Sequence, residues 1–214
     1  MRNLILAVAL VALVGCGLNP SGKTASPSPS PLPTGVGNLS LTDENLEPGR
    51  YSFRDFGEPI VTFAVDGAPW QAVQLFDGFF DIQQDRDTPD VIAVQFARPT
   101  GIHGGDGSRV PTDAADAVAL LSDNTELNVV ETDTSTIGGL DGSQVTVENT
   151  GEEVASFMDL PPGTIGINGG RRLWIAFFDT DHGLLAIMIG GSAEKWDEAL
   201  AAAEPVLESI EIGQ

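Results

Sequence analysis

Two apolar runs near the C-terminal end constrain the fold of this chain more than any other feature. Leu173–Phe178 and Leu184–Ile189 carry a hydrophobic side chain at every position. Because successive side chains of a β-strand point to opposite faces of a sheet, both strands must be covered on both faces. The short segment Asp179–Gly183 between them predicts a hairpin. The chain therefore needs an antiparallel sheet with packing elements on either side.

Shorter stretches rich in apolar residues predict further strands earlier in the chain. They are Ile60–Val65, Trp70–Phe76, Phe79–Gln83, Val91–Ala97, Leu127–Glu131 and Ser143–Glu148. We expect the glycine-rich segment Gly101–Gly107 to be a loop. Asn168-Gly169 is typical of a tight turn, which predicts that Ile165–Ile167 forms a hairpin with Arg171–Phe178.

The first of two predicted helices begins after Pro111 and ends at Asp123-Asn124. Thr112 or Asp113 can cap it, because a side-chain oxygen there accepts a hydrogen bond from a free backbone N–H group. Its buried face is predicted from four apolar residues at helical spacing. They are Ala114, Ala117, Val118 and Leu121.

The second predicted helix closes the domain, with Ser192 as its expected N-cap. Pro205 lacks a backbone N–H group, so we expect it to kink or break the last turns. Ile210 and Ile212 then suit a short closing strand. The apolar face of this helix repeats every three or four residues. It comprises Trp196, Leu200, Ala203, Leu207 and Ile210.

These elements together predict an α+β fold, in which an antiparallel sheet of several hairpins packs against an internal helix and a C-terminal helix. The element order over residues 50–212, with its closing hairpin and helix, resembles the Mog1/PsbP-like α/β/α sandwich. That fold includes domains of bacterial surface lipoproteins. The resemblance rests on element order and on no signature motif. It implies a binding or assembly module and carries no functional residue over to this chain.

The N-terminal residues have the pattern of an export signal. Arg2 supplies a positive charge, and Leu4–Val14 is an apolar run too short for a membrane-spanning helix, which needs about 20 residues. Leu13-Val14-Gly15-Cys16 resembles the lipobox of bacterial lipoproteins. The resemblance implies diacylglycerol transfer to the Cys16 thiol, cleavage before Cys16 and acylation of the new amino group. The alternative is an ordinary secretory signal cut near Gly17, with a free cysteine.

The sequence after Cys16 divides into a tether and one acidic domain. Residues 16–38 are rich in alternating proline and serine, which favours an extended spacer. Residues 1–15 are therefore predicted as the signal peptide, 16–38 as the lipidated cysteine and tether, and 39–214 as the domain. Beyond the tether, eight basic residues face 31 acidic ones, a formal charge of −23. This charge argues against nucleic acid as a partner, because phosphates need a basic surface.

Acidic residues suggest a possible calcium site in two segments. Asp77 and Asp81 precede a dense run of Asp85, Asp87 and Asp90, and the later segment Asp179–Gly183 adds further carboxylates. Calcium takes six to eight oxygen ligands, yet the pattern of an EF-hand loop is absent. The metal candidates are Asp85, Asp87, Asp90, Asp179 and Asp181. The simpler interpretation is that the first segment is a solvated loop and the second a hairpin turn.

The sequence gives only weak indications of a zinc site, a catalytic nucleophile, an anion site or an aromatic ligand groove. A mixed zinc site would require two distant loops to meet, bringing His103 and Asp106 to Asp181 and His182. No serine lies in a nucleophile motif. Arg171-Arg172, beside several glycines, could bind an anion, although no phosphate-loop spacing is present. Three tryptophans could line a groove but more simply belong to the core. They are Trp70, Trp174 and Trp196.

The sequence thus predicts a lipid-anchored protein that faces outside the cytoplasm, held at the membrane through Cys16. Its domain is expected to be a non-catalytic module that binds a protein or a small ligand, without a cofactor. The alternative is a cation-binding, calcium-type surface protein that uses the acidic loops. A third class, an enzyme of unrecognised type, is disfavoured because no paired catalytic motif is found.

Overall fold

The computed structural model describes residues 36–38, 44–53, 56–66 and 69–213. The predicted signal peptide, Cys16 and the tether up to residue 35 lie outside the described residues. In the part of the chain that is described, sixteen strands and two helices follow one another. They are β1 (Val36–Asn38), β2 (Glu44–Asn45), β3 (Gly49–Ser52), β4 (Val61–Val65), β5 (Gln71–Phe76), β6 (Phe79–Gln84), β7 (Ile92–Ala97), β8 (Gly101–Gly104), β9 (Gly107–Arg109), α1 (Ala114–Ser122), β10 (Asn128–Ile137), β11 (Leu140–Asn149), β12 (Ala155–Leu160), β13 (Gly163–Ile167), β14 (Arg171–Thr180), β15 (Gly183–Ser192), α2 (Trp196–Glu208) and β16 (Glu211–Ile212).

One eight-stranded sheet forms the centre of the molecule, with the order β10-β11-β14-β15-β7-β6-β5-β2. All its neighbouring strands are antiparallel. The two apolar runs form the hairpin β14–β15, whose ten residues on each strand pair from Arg171↔Ser192 to Thr180↔Gly183. The predicted antiparallel α+β fold and the central position of this hairpin are confirmed.

Both faces of the central sheet are covered, as the apolar runs require. On one face, α2 and a small sheet (β1-β3-β4-β16) bury alternate residues such as Phe178 and Ile187. On the other face, α1 and a second small sheet (β13-β12-β8-β9) bury the intervening residues, such as Phe177 and Met188. The closing strand β16 pairs with β4, as predicted. The three tryptophans pack in or against the first of these cores.

Two predicted local structures are wrong in the second small sheet. The segment Gly101–Gly107 lies largely in the hairpin β8–β9 rather than in a loop, with Gly107 at a positive φ of 101° at its turn. Strand β13 pairs with β12 and not with β14. After the turn that follows β13, the chain does not pair with β13. The Gly170 N–H group instead donates to the Asn149 carbonyl on β11, which directs β14 into the central sheet.

The two helices follow the predicted faces but differ in their caps. Asp113 caps α1, since its carboxylate accepts from the Asp116 N–H group at 2.8 Å. The predicted cap of α2, Ser192, is the last residue of β15 and pairs with Arg171. The position before α2 is Lys195, without a side-chain cap. Neither helix of the described residues is long and apolar enough to cross a membrane.

Pro205 does not break α2, which continues to Glu208. Pro205 lacks the N–H group that would bond the carbonyl of Ala201 four residues earlier. Both residues lie on the exposed face of the helix, where water can satisfy that carbonyl. The buried face, with Ala199, Ala203 and Val206, keeps its contacts with the core. The expected break is therefore wrong because of where the proline lies.

Replacing Phe96 with alanine tests the core beneath α2. Phe96 is fully buried, and its ring centroid lies 5.7 Å from that of Phe63 and 6.1 Å from that of Phe80. We expect Phe96→Ala to lower the free energy of unfolding in urea by about 3–5 kcal/mol, because it removes buried contacts and leaves a cavity. The control Val110→Ala changes a residue that is 76% exposed and should stay within about 0.5 kcal/mol. Equal effects of the two substitutions would contradict the assigned core.

Candidate functional site

A groove of about 750 Å³ lies on one face of the central sheet, beside the second small sheet. Its floor comes from β5, β6, β7 and β15. One wall comes from β12, β13 and the turn that follows β13, and one end comes from residues 88–91. The same face is filled by apolar side chains further along the strands, where α1 and β8 cover it. The groove is thus the part of this face that the covering elements leave open.

A row of polar side chains crosses the floor of the groove. Gln74, Asp81 and Gln95 lie directly opposite one another on the neighbouring strands β5, β6 and β7. Gln83 lies two residues after Asp81 on the same strand and on the same face. The sequence therefore places three amides around one carboxyl group on strands that are otherwise largely apolar.

Asp81 is the one acidic residue among the described residues that line the groove. The residue is 2% exposed. Its Oδ2 atom accepts a hydrogen bond from Gln83 Nε2 at 2.7 Å, whereas Oδ1 has no hydrogen-bond partner among the described residues. Burial raises the pKa of Asp81 to about 6, and hydrogen bonds from Gln83 and Gln95 and the charge of Arg86 oppose this rise. A buried carboxyl oxygen without a donor is costly unless something else supplies one.

The wall opposite the floor is shaped by the turn after β13. The buried Asn149 side chain donates to the carbonyls of Ile167 and Glu153, each at 2.7 Å, and accepts from the Gly151 N–H group at 2.8 Å. These bonds hold the turn against the segment that follows β11. Gly169 is required there, since a side chain would collide with the Gly151 carbonyl oxygen. The turn therefore has a fixed position at the rim of the groove.

Arg171 closes one end of the groove. Its guanidinium group donates to the backbone carbonyls of Pro89 at 3.0 Å and Val91 at 2.5 Å. Burial lowers the pKa of Arg171, and the charge of Asp90 opposes that shift. No carboxylate forms an ion pair with Arg171 within the described ranges. Its positive charge is thus held by carbonyl dipoles next to the groove.

The side chain of Arg172 lies on the opposite face of the sheet from that of Arg171. It forms an ion pair with Glu148 at 2.7 Å, and its guanidinium carbon lies 5.8 Å from the ring centroid of Trp196. Neighbouring residues of a strand face opposite sides of the sheet, which separates the two arginine side chains. The structure therefore does not bring Arg171 and Arg172 together as one anion site.

The first acidic segment of the sequence forms a compact turn at the end of the groove. Asp85 has a positive φ of 52°, and its carbonyl accepts from the N–H group and from the hydroxyl of Thr88, both at 2.9 Å. Asp87 is exposed. The carboxylate of Asp90 is paired with Lys195 at 2.6 Å. Backbone bonds and this ion pair account for the order of the turn.

The second acidic segment is the turn of the β14–β15 hairpin. Asp179 accepts a hydrogen bond from the Ala114 N–H group at 3.0 Å, which holds the start of α1 against β14. Asp181 and His182 lie exposed in the turn itself. Over the described residues, no three His, Cys, Asp or Glu side chains are grouped so that they could hold a metal ion.

His103 takes part in a different cluster, on the second small sheet. Asp159 accepts hydrogen bonds from His103 Nε2 at 2.9 Å, from Thr164 Oγ1 at 2.6 Å and from the Ser108 hydroxyl. These bonds, with that of Ser108 the largest cause, lower the pKa of Asp159 to about 2. The serine proton points to a weakly basic carboxylate and not to the histidine, so the arrangement of a nucleophilic triad is absent from this cluster. The cluster joins β8, β9, β12 and β13.

Sequence reasoning did not single out the polar row of the floor. The sequence shows Asp81 only as an acidic residue ahead of a dense acidic run, within the predicted strand Phe79–Gln83. The usable signal is the recurrence of Gln or Asp inside strands whose neighbours are apolar. Burial of a polar residue is the informative exception in a core.

Comparisons with known proteins give likenesses of fold. No family model matches the chain, and no curated protein sequence matches it significantly. Cyanobacterial PsbP (CyanoP) from Synechocystis sp. is 11% identical with a TM-score of 0.44, over 82% of this chain and 96% of that chain. LpqN, involved in cell envelope biogenesis of Mycobacterium tuberculosis, is 11% identical with a TM-score of 0.38, over 72% and 91%. A protein of Bacteroides thetaiotaomicron is 11% identical with a TM-score of 0.36, over 72% and 45%. Likenesses at this level establish neither a family nor a function for this chain.

The raised pKa of Asp81 predicts how the stability of the protein depends on pH. Between pH 3.8, where the unfolded group titrates, and about 6, the folded state holds one more proton than the unfolded state. Stability therefore falls as the pH rises through this window. The penalty on the folded state amounts to about 3 kcal/mol and is fully present above the folded pKa.

The substitution Asp81→Asn removes this titration. We compare the free energies of unfolding in urea of the variant and the parent protein at about pH 3 and about pH 7.5. Between these two values the difference should change by about 3 kcal/mol in favour of the variant. The matched control is Asp87→Asn, which makes the same change at an exposed position. A stability difference between Asp81→Asn and the parent that does not change with pH would contradict the buried state of Asp81.

Proposed function

We propose that this protein is a lipid-anchored, extracytoplasmic binding protein whose groove takes a small polar ligand. The observation that carries the proposal is Asp81, a buried carboxyl group on the floor of an open groove, with one oxygen lacking a donor among the described residues. A ligand with a hydrogen-bond donor would satisfy that oxygen. Pockets with a few convergent polar groups and a perturbed pKa are the usual binding sites of proteins.

The location rests on the sequence. Arg2, the apolar run Leu4–Val14 and the lipobox-like residues ending at Cys16 support export and lipidation. Two or more acyl chains hold a protein stably at a membrane, whereas one chain binds only marginally. The proline- and serine-rich residues that follow would hold the acidic domain away from the lipid headgroups.

A binding role without catalysis is supported by the chemistry of the groove. Its described lining contains no histidine, cysteine or lysine beside Asp81, and the neighbours of Asp81 on the floor are amides. Amides orient a ligand through hydrogen bonds but do not act as nucleophiles or bases. In the His103–Asp159 cluster the Ser108 hydroxyl donates to Asp159, which supports a role without an activated serine.

Removing the Cys16 thiol tests the anchor. We expect Cys16→Ser to move the protein from the membrane fraction to the soluble fraction after cell lysis, because the acyl chains can no longer be attached. Ser28→Ala, a change in the same predicted tether, should leave the protein with the membrane. Retention of Cys16→Ser in the membrane fraction would show that another feature anchors the chain.

Thermal melting of the purified full chain tests the groove. We expect one member of a panel of sugars, amino acids, short peptides and organic amines to raise the melting temperature. At about 100 times its dissociation constant, a ligand adds about 2.7 kcal/mol, which is several degrees for a domain of this size. Asp81→Asn should reduce that shift and Asp87→Asn should not. A shift with calcium alone, equal in both variants, would favour the cation-binding alternative over the groove.

A further inference from the structure

The groove carries a negative charge on its floor and a positive charge at one end, and the two are not paired with each other. Asp81 lies on the floor with one oxygen lacking a donor among the described residues, and Arg171 lies at the end with only backbone carbonyls as partners. This inference rests on the proposed function and concerns the class of ligand. A complementary ligand has a cationic end and an anionic end, each placed against the opposite charge.

The strand register gives the distance between the charges of Asp81 and Arg171. Gln95 lies opposite Asp81, and Val91, whose carbonyl binds Arg171, comes four residues before Gln95. At about 3.4 Å per residue, the two charges are about 14 Å apart along the strand. A free amino acid is too short to join them, because its ammonium and carboxylate groups are attached to one carbon. An extended peptide of about four residues has the matching length.

The surfaces between the two charges suit a peptide backbone. The side chains of Gln83 and Gln95, which lie on the side of Asp81 toward Arg171, each offer a donor and an acceptor, as a peptide group requires. Strand β13, which lines the groove, is the edge strand of its sheet in the described part of the chain. An edge strand has backbone groups that can pair with an added extended chain.

We propose that the groove binds a short extended peptide with both termini free, its amino terminus at Asp81 and its carboxyl terminus at Arg171. The ammonium group donates to the unpartnered oxygen of Asp81, and the carboxylate accepts from the guanidinium group. Gln83, Gln95 and the edge of β13 bind the peptide groups between them. Length and free termini, rather than side-chain identity, determine the affinity.

Calorimetry with alanine peptides tests this assignment. Dialanine to hexaalanine are titrated into the purified full chain, and the affinity should be highest near four residues. N-acetylation should weaken binding of the best peptide by about 30-fold or more, because it leaves a buried charge without its partner. C-amidation should weaken binding as well.

Variants assign each terminus to its residue. In Asp81→Asn, acetylated and free peptides should bind within about twofold of each other, since the preference for an ammonium group is lost. Asp87→Asn, the exposed control, should keep the full preference. Arg171→Gln should likewise remove the preference for a free carboxylate. If Arg171→Gln fails to fold, the C-amidated peptide on the parent protein tests that contact without a change in the protein.

The outcomes separate this inference from the proposed function. Peptides that bind regardless of blocked termini, or equally well to Asp81→Asn and Asp87→Asn, would overturn the peptide assignment. A neutral sugar such as maltose that binds in an Asp81-dependent way, while the peptides do not bind, would overturn it and leave the binding function standing. If neither peptides nor the wider panel bind, both proposals fall.

Discussion

The structure depends on burying both faces of the hairpin β14–β15 and its neighbour β7. Apolar side chains alternate between the two faces, so that Phe177 and Met188 need a cover on one side while Phe178 and Ile187 need a cover on the other. A single layer cannot satisfy this requirement. The chain meets it with one helix and one small sheet on each face, which gives three layers.

The groove follows from the same constraint. The covering elements α1 and the second small sheet extend over only part of their face. Where they end, the floor changes from apolar side chains such as Phe79 and Ala97 to the polar row that contains Asp81. A carboxyl group there is partly desolvated by the strands around it, which raises its pKa to about 6. The incomplete cover therefore produces both the cavity and its unusual chemistry.

Much of the fold could be predicted from local patterns, because β14 and β15 are encoded by continuous apolar runs and α1 and α2 by helical periodicity, each within a single segment. The predictions that were wrong concern segments whose structure is determined by contacts with residues distant in the sequence. Ser192 and Gly191 look like a helix start, yet the ladder with β14 extends through them, and α2 packs so closely that a side chain at Gly191 would lie 2.6 Å from the Ala199 side chain. Strand β13 has a good hairpin turn after it, but its partner is β12.

The site was less predictable than the fold. Asp81, Gln74 and Gln95 are separated in sequence and meet only through the register of three strands. The acidic residues that attract notice in the sequence, such as Asp85 and Asp90, are conspicuous because they cluster in one loop. Their contacts are those of a turn and of an ion pair with Lys195. Density of charge along the chain is therefore a poorer guide to a site than burial of one charge.

The most direct measurement is a carboxyl carbon NMR titration of the aspartates, with the Asp81 signal assigned by its absence from Asp81→Asn. The account predicts that this signal titrates at about pH 6 in the free protein and shifts to lower pH when a ligand with an ammonium group occupies the groove. An Asp81 signal that titrates near pH 3.8, like that of an exposed aspartate, would contradict the desolvated carboxyl group on which the groove's proposed role depends.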